Sequence, residues 1–443
     1  MTVHKSDPLS SGFGRPANPG ARRSDAFWRT LKGLVAALVR NGWVQLFVGL
    51  LVCVGAPAVL FYFVAGSWPN QPLVNTAVGA AVAFSVCQLI YHRLERFPGE
   101  IAFSQITPLF LGVAGVATGI FIVARLPYSL GLGSVVALFA IGWFLALSRV
   151  MRRLKKETVG FLPFGSAADA SWVPPRIGRR AVVSVDDPAS DCDFLVADLH
   201  HDMPPEWQDY IANATLAGQP ILHIQHAKES LTGRVQIRHL SENPVGALLP
   251  QPGYMFAKRM IDIALVLITL PLTLPLLLVG WIAVTLERAG GALFSKVRVG
   301  YRGRPFVMHK LRTMRDSPGA TVTADADQRI TRAGRLLRRY HIDELPQIVN
   351  ILKGEMSWIG PRPDVTERLA EYRRAIPFFA YRHVVRPGIT GWAQVNQGYA
   401  ESIDEISRKL EYDFFYIRNI SFWLDILILV KSLRIVIRGT GAR

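Results

Sequence analysis

Four long apolar runs dominate the first third of this sequence, at residues 44–64, 74–91, 101–124 and 134–151. Each is close to the ~20 residues that an α-helix needs to cross a lipid bilayer. Half of all residues are hydrophobic, and the mean hydropathy of the chain is +0.24. Soluble globular proteins rarely average above zero on this scale, so the sequence predicts a membrane protein and excludes a disordered or collagen-like chain.

Basic residues flank these runs unevenly. Arginines and lysines cluster before the first run, between the second and third, and after the fourth, whereas the other two connecting segments share one arginine, Arg125. The positive-inside rule therefore places both ends of this region in the cytoplasm. We expect residues 1–42 to form a flexible basic tail and residues 43–152 to form a four-helix transmembrane bundle.

Residues 153–250 have a different character. Short apolar runs, at 158–164, 193–198, 220–225 and 235–240, alternate with polar stretches, which predicts a small Rossmann-like α/β module with a short parallel sheet. The histidines of this segment suggest a metal site, but they lack accompanying cysteines and a recognised ligand spacing, so surface or packing roles are favoured. These histidines are His200, His201, His223 and His226.

Residues 251–443 carry most of the formal net charge of +17. They include an apolar run, 261–286, that follows Lys258 and Arg259 and contains Pro271 and Pro275. If this run crossed the membrane, the densest basic part of the chain would lie outside the cell, against the positive-inside rule. A re-entrant helix over about 258–287, bent at its prolines, enters and leaves on the cytoplasmic face and avoids the conflict. An ordinary span is the alternative, since prolines also occur in spans.

Two adjacent carboxylates, Asp343 and Glu344, are the first candidates for chemistry. Helical spacing before them and Pro346 after them predict a junction between two helices, the second running to Lys353 and ending at Gly354. A helix N-terminus favours anions and phosphate groups. The pair follows Arg338 in the chain and therefore suits a nucleophile and a metal ligand. The alternative is an N-capping Asp with a first-turn Glu.

Three further stretches carry candidate binding residues. In 358–363, two prolines flank Arg362 and hold its guanidinium in one direction, which suits a diphosphate; an exposed turn is the alternative. In 298–314, glycines predict a tight hairpin with Phe306 as a buried anchor. Lys310 and Arg312 are expected to form a same-facing basic pair on a strand, and a solvated basic strand is the alternative. The stretch 386–396 is a weaker candidate for a nucleotide- or sugar-facing loop.

Together with Lys258, Arg259 and Asp262, these four stretches resemble the bacterial sugar transferase family, the monotopic polyprenyl-phosphate sugar-1-phosphate transferases. The resemblance covers about residues 251–443, and the preceding spans and α/β module resemble the larger exopolysaccharide-initiating members. It implies a mixed α/β membrane protein whose C-terminal catalytic domain is mostly α and monotopic. Its re-entrant helix would break at Pro275.

The resemblance also implies a reaction. A sugar-1-phosphate would pass from a UDP-sugar to undecaprenyl phosphate, with release of UMP. Asp343 would attack the β-phosphorus, Glu344 with Asp343 would hold Mg²⁺, and other basic residues would bind phosphate oxygens. These basic residues are Arg338, Arg362 and Lys310. The residues expected to line the substrate site are Arg312, Pro361, Arg386, Thr390, Gln394 and Asn396.

The chain departs from the family pattern at a few positions, where substrate choice is the property most affected. These are Leu274, Lys296, Tyr340 and His341. The donor sugar stays open, with a lean towards glucose or galactose. The main rival function is a non-catalytic membrane scaffold of a polysaccharide assembly complex, against which the intact carboxylates and arginines argue. We expect a bacterial inner-membrane location with cytoplasmic termini, lipid contacts, an open possibility of homo-oligomers, and no nucleic-acid partner.

Overall fold

The computed structural model describes residues 41–65, 70–94, 103–154, 158–175, 177–237, 250, 252–287, 291–315, 329–398 and 402–438. The predicted basic tail lies almost wholly outside these residues. The predicted domain boundaries stay predictions.

The N-terminal region consists of long apolar helices at the positions of the predicted spans. They are α1 (Gly42–Leu50), continued by a π-helical turn (Leu51–Gly55) into α2 (Ala56–Ala65), then α3 (Gln71–Leu94), α4 (Phe103–Val123) and α5 (Leu130–Leu154). Large apolar side chains such as Phe63 and Val123 are mostly exposed. Phe84 and Phe144 pack together inside the bundle, where Gln88 donates a buried hydrogen bond to Gln45 (2.8 Å). This arrangement suits a bilayer, because apolar side chains face the lipid and polar groups are hydrogen-bonded inside the bundle.

Among the described residues, four helices are long and apolar enough to cross a membrane. They are Gly42–Val64, Gln71–Leu94, Leu130–Val150 and Pro252–Leu286. The third predicted span forms α4, a further apolar helix of 21 residues. The chain is therefore a mixed α/β protein with a helical membrane region.

The α/β module contains a fully parallel sheet in the order β2-β1-β3-β4. Its elements are β1 (Thr158–Phe161), β2 (Gly178–Ala181), β3 (Phe194–Ala197), α6 (Pro205–Leu216), β4 (Ile221–His223) and α7 (Ile224–Thr232). Val159, Leu195 and Val196 are fully buried in it. Because all strands are parallel, their carboxyl ends meet at one edge of the sheet.

Three of the four apolar runs of the module contain strands, and the described part of the fourth contains none. Val235 and Ile237 form no strand; they are buried in the core of the C-terminal domain. Residues 238–240 lie outside the described residues. The remaining strand is β2, whose residues are mostly exposed. An edge strand of this kind lacks an apolar pattern, so the sequence did not indicate it.

The C-terminal domain combines short sheets with helices. Its strands are β5 (Leu293–Val299), β6 (Pro305–Leu311), β7 (Ser357–Ile359), β8 (Asp364–Val365) and β9 (Gly388–Thr390). Its helices are α8 (Pro252–Leu286), α9 (Arg332–Arg339), α10 (Ile348–Lys353), α11 (Leu369–Ala375), α12 (Trp392–Asn396), α13 (Ile403–Arg418) and α14 (Phe422–Arg438). Strands β6, β5 and β8 form an antiparallel sheet, and β7 pairs with β9 in parallel.

Helix α8 starts at Pro252, six residues before the predicted 258, and is continuous through Pro271 and Pro275. Both of its flanks pack against the C-terminal domain: Val266 lies in a core with Phe306, and Val284 in another with Leu311. Between these flanks, large apolar side chains are exposed, for example Ile268 (73%), Leu272 (67%) and Val279 (65%). The middle of the helix thus presents an apolar surface away from its own domain.

The apolar run 415–437 is divided between two helices. Helix α13 ends at Arg418 and α14 begins at Phe422. Asn419 donates to the carbonyl of Phe415, and the hydroxyl of Ser421 accepts from the N–H of Leu424. These polar side chains satisfy backbone groups at the two helix ends, which favours a break there.

The α/β module and the C-terminal domain are joined by several specific contacts. Arg418 pairs with Glu229 through one guanidinium nitrogen at 2.8 Å from each carboxylate oxygen. The indole N–H of Trp392 donates to the carbonyl of Gly233 (2.9 Å). The segment after α7 thereby becomes part of the C-terminal core.

Candidate active site

The predicted junction between two helices is confirmed. Helix α9 is capped by Thr331, whose hydroxyl accepts from the N–H of Gly334 (2.9 Å). His341 takes up a left-handed conformation (φ 54°) and turns the chain into a short 3₁₀ segment, Ile342–Gln347. This segment leads into α10, which ends at Lys353 with Gly354 in a left-handed conformation (φ 84°). Asp343 and Glu344 therefore lie between the two helices.

Two cations from other parts of the fold meet Glu344. Its Oε1 accepts from Lys310 Nζ (2.5 Å) and from Arg362 Nη2 (3.1 Å). Lys310 comes from β6, and Arg362 from the segment between β7 and β8. Asp343 and Glu344 are only 9% and 7% exposed. The fold thus brings together three separate motifs at one buried carboxylate pair.

The two carboxylates hold their protons with different strength. Burial raises the pKa of Asp343 to about 6; the nearby Glu344 adds to this, while Lys310 and Arg338 oppose it. Burial also acts on Glu344, but Lys310 and Arg362 outweigh it and hold the pKa of Glu344 well below its usual range. At neutral pH Glu344 is ionised, and Asp343 is mostly ionised but close to its titration.

A buried ionic network supports the segment that carries Arg362. Arg382 forms an ion pair with Asp364 and another with Asp413 (2.7 Å), and its Nη2 donates to the backbone carbonyl of Arg362 (3.1 Å). Nε2 of His383 lies 3.0 Å from the second oxygen of Asp364. No sequence pattern indicates this network, because a buried arginine in a polar stretch leaves no periodic signal.

The other predicted binding residues contact the surrounding fold. Arg312 follows the end of β6 at Leu311 rather than lying on it, and donates to the carbonyl of Gly291 (2.9 Å). The prediction of a basic pair on one strand is wrong in this respect. Arg386 donates to the carbonyl of Gly354 (2.9 Å).

Thr390 and Asn396, in the stretch 386–396, contact the C-terminal helix. Thr390 shares a hydrogen bond with Ser432 (2.6 Å), and Asn396 accepts from Lys431 (2.8 Å). Gln394 donates to the carbonyl of Ile389 (2.9 Å). The contacts of these three residues lead to α14 and to their own loop, and a role in substrate binding stays a prediction.

Comparison with known proteins places this site in a family. Residues 253–439 match the model of bacterial sugar transferases. The chain is also 40% identical to the UDP-N-acetylgalactosamine-undecaprenyl-phosphate N-acetylgalactosaminephosphotransferase of Aeromonas hydrophila, over 90% of this chain and 95% of that protein. The chain belongs to the bacterial sugar transferase family. It is therefore a transferase enzyme, and the carboxylate pair and its cations all lie in the matched transferase domain.

Other relatives align over less than half of this chain. The UDP-glucose:undecaprenyl-phosphate glucose-1-phosphate transferase of Caulobacter vibrioides is 40% identical over 42% of this chain and 72% of that protein. The undecaprenyl-phosphate galactose phosphotransferase of Salmonella typhimurium is 33% identical over 42% of each chain. Relatives that align over this smaller share of the chain are thus named for different sugars.

Proposed function

We propose that this transferase moves a sugar-1-phosphate from a UDP-sugar to undecaprenyl phosphate and releases UMP. The names of its relatives give the two substrates. One observation carries the assignment to residues: Asp343 and Glu344 form a buried pair at which Lys310 and Arg362 converge. Phosphoryl transfer depends mainly on positioned charge, and this site supplies it without bulk water.

Two displacements at one phosphorus account for the reaction. In the first, an oxygen of Asp343 attacks the β-phosphorus, the bond to the α-phosphate oxygen breaks, and UMP leaves. In the second, a phosphate oxygen of undecaprenyl phosphate attacks the same phosphorus and releases Asp343 as a carboxylate. Lys310, Arg338 and Arg362 offset the repulsion between the carboxylate and the diphosphate. The covalent intermediate lets two dissimilar substrates use one site in turn.

The donor set of this site fits Mg²⁺. Two neighbouring carboxylates offer hard oxygen ligands, and Mg²⁺ usually takes one or two of these together with waters and substrate phosphates. Glu344 stays ionised at neutral pH because Lys310 and Arg362 lower its pKa. We propose that Asp343 and Glu344 hold the ion, which when bound neutralises charge on the phosphates.

The donor sugar is the point on which the relatives differ. The Aeromonas hydrophila protein aligns over nearly the whole of this chain and is named for N-acetylgalactosamine. Glucose and galactose, towards which the sequence analysis leaned, occur in relatives that match over 42% of the chain. UDP-N-acetylgalactosamine is therefore the first donor to test.

We propose a cytoplasmic site at the inner face of the bacterial inner membrane, in an early step of exopolysaccharide, capsule or O-antigen synthesis. The re-entrant arrangement of α8 is supported by its packed flanks and its exposed apolar middle. Both of its ends would then lie on the cytoplasmic face, beside the lipid phosphate. The parallel order β2-β1-β3-β4 supports a Rossmann-like module beneath the bundle.

The test is UMP release by the purified chain with undecaprenyl phosphate, Mg²⁺ and each of several UDP-sugars. Asp343→Asn should lose at least about 10³-fold in rate, because a nucleophile is removed. Asp404→Asn, at an exposed carboxylate in the first turn of α13, is the matched control and should keep the activity. Chelation by EDTA should stop UMP release, and added Mg²⁺ should restore it.

Two further results would decide between the transferase and a membrane scaffold. With undecaprenyl phosphate left out, intact mass should rise by one sugar phosphate in the parent chain and stay constant in Asp343→Asn. A chain that binds a UDP-sugar but releases no UMP under any condition would contradict the transferase and favour the scaffold.

A further inference from the structure

The carboxyl edge of the parallel sheet in the α/β module holds a group of side chains that the transferase reaction does not use. After β1 the chain crosses to β2 on one side, and after β2 it crosses to β3 on the other. In open parallel sheets, ligands bind at the carboxyl edge where the strand order reverses in this way. Asp198 follows β3 at this edge, and His223 ends β4 beside it.

The carboxylate of Asp198 is held in a fixed direction. Its Oδ2 accepts from the N–H of Ser166 (2.8 Å), in the loop that follows β1. Gly165 precedes this donor in a left-handed conformation (φ 54°), and a Cβ at this position would lie 2.5 Å from Asp198 Oδ2. Only glycine allows the loop and the carboxylate to approach so closely. The other oxygen, Oδ1, faces His223.

Two imidazoles complete the group. His223 Nε2 lies 3.6 Å from Asp198 Oδ1, and the rings of His200 and His223 have centroids 4.6 Å apart. Each of the three residues offers a ligand atom within 4.8 Å of the others. Ligands of a tetrahedral ion with bonds of about 2 Å lie roughly 3.3 Å apart, so small side-chain movements suffice to close around an ion.

We propose that Asp198, His200 and His223 bind a divalent transition-metal ion of the zinc or cobalt type. Two imidazole nitrogens and one carboxylate oxygen are a usual set for such ions and leave a fourth position open. His200 is exposed, so this position faces solvent and is available to water or to an anionic ligand. Sequence spacing favoured surface or packing roles, because the ligands come from two strand ends that only the sheet brings together.

Binding has a consequence for the next helix. His223 Nδ1 accepts from the N–H of Gln225 (3.2 Å) and caps α7, which places the imidazole proton on Nε2. A metal ion on Nε2 takes the place of this proton, and the neutral ring then carries its proton on Nδ1. The N–H of Gln225 loses its acceptor. Metal binding should therefore speed hydrogen exchange at the start of α7.

The test is metal binding by the full chain in detergent after chelator treatment. Co²⁺ is titrated by its visible absorption, which reports nitrogen and oxygen ligands, and bound metal is counted by elemental analysis. His200→Ala and Asp198→Asn should each weaken this binding at least about tenfold. His226→Ala, at an exposed histidine of α7, is the matched control and should bind as the parent does.

Asp343→Asn distinguishes metal binding at this site from metal binding in the transferase domain. It should leave the histidine-dependent Co²⁺ spectrum unchanged. UMP release should persist in His200→Ala, since that residue lies outside the transferase site. Equal Co²⁺ binding by the parent and His200→Ala would overturn the proposal, and so would an equal loss in His226→Ala.

Discussion

Two neighbouring carboxylates with opposite pKa shifts are the main feature at the scale of single residues. Asp343 and Glu344 are adjacent and similarly buried, so burial alone does not distinguish them. The difference comes from the direct contacts of Lys310 and Arg362, which both reach Glu344. Sequence reasoning located the pair and its cations. It did not assign the separate protonation states, because these depend on distances set by three distant segments.

The raised pKa of Asp343 predicts the pH dependence of the reaction. The nucleophile must be ionised, so activity should be full above its pKa and should fall as pH drops through about 6. Lys310→Met removes a charge that lowers this pKa and should move the fall to higher pH, besides reducing the rate. The measurement is kcat/KM for UMP release between pH 5 and 8. An acid limb that stays at the same pH in Lys310→Met would argue against Asp343 as the nucleophile.

Removal of Arg382 should destabilise the transferase domain. Arg382→Gln leaves Asp364 and Asp413 buried without their shared cation, a loss of about 3–5 kcal/mol in the free energy of unfolding. Arg368→Gln breaks an exposed pair with Glu371 and should lower the stability far less. Thermal unfolding followed by size-exclusion chromatography compares the two. Similar losses in both variants would contradict a structural role for the buried network.

At the scale of elements, the sequence predicted those with strong local signals. The hairpin with buried Phe306, the end of α10 before Gly354 and the apolar helices were all indicated by residue type and period. The edge strand β2 and the division between α13 and α14 were not. An exposed strand has no apolar face, and a helix break within an apolar run is set by polar caps and packing rather than by hydrophobicity.

Close packing of α9 gives a prediction at this scale. A Cβ on Gly334 would lie 2.2 Å from the carbonyl oxygen of Thr313, so Gly334→Ala must displace the helix that carries Arg338. We expect lower thermal stability together with a reduced rate of UMP release. Gly253→Ala, in α8, places its methyl group in open space and should change neither property. Unaltered activity in Gly334→Ala would contradict a role for the position of Arg338 in the reaction.

At the scale of the whole molecule, the length and packing of α8 determine how the helix can lie in the membrane. The helix has 35 residues, about 52 Å at 1.5 Å per residue, which is longer than a ~30 Å hydrocarbon core requires. Its length alone therefore permits a span. Its packing favours the re-entrant arrangement, because both flanks contact the same domain.

Cysteine labelling distinguishes the two arrangements. Phe256→Cys and Leu286→Cys lie near opposite ends of α8, at positions 70% and 77% exposed, and are introduced after Cys53, Cys87 and Cys192 are replaced. A membrane-impermeant maleimide should label both in inverted vesicles and neither in intact spheroplasts. Val123→Cys, at the end of α4, is the control for the opposite face. Labelling of the two α8 positions from opposite sides would establish a span.

The contacts after α7 limit which segments of the chain relatives can exchange by recombination. Val235 and Ile237 complete the hydrophobic core of the transferase domain, and Trp392 donates to the carbonyl of Gly233. The core of the transferase domain therefore includes residues that come before 250 in the chain. Recombination at residue 251 would make Val235 and Ile237 pack against the core of a foreign transferase domain. Recombination between relatives should instead keep residues 229–237 together with the transferase domain that they contact.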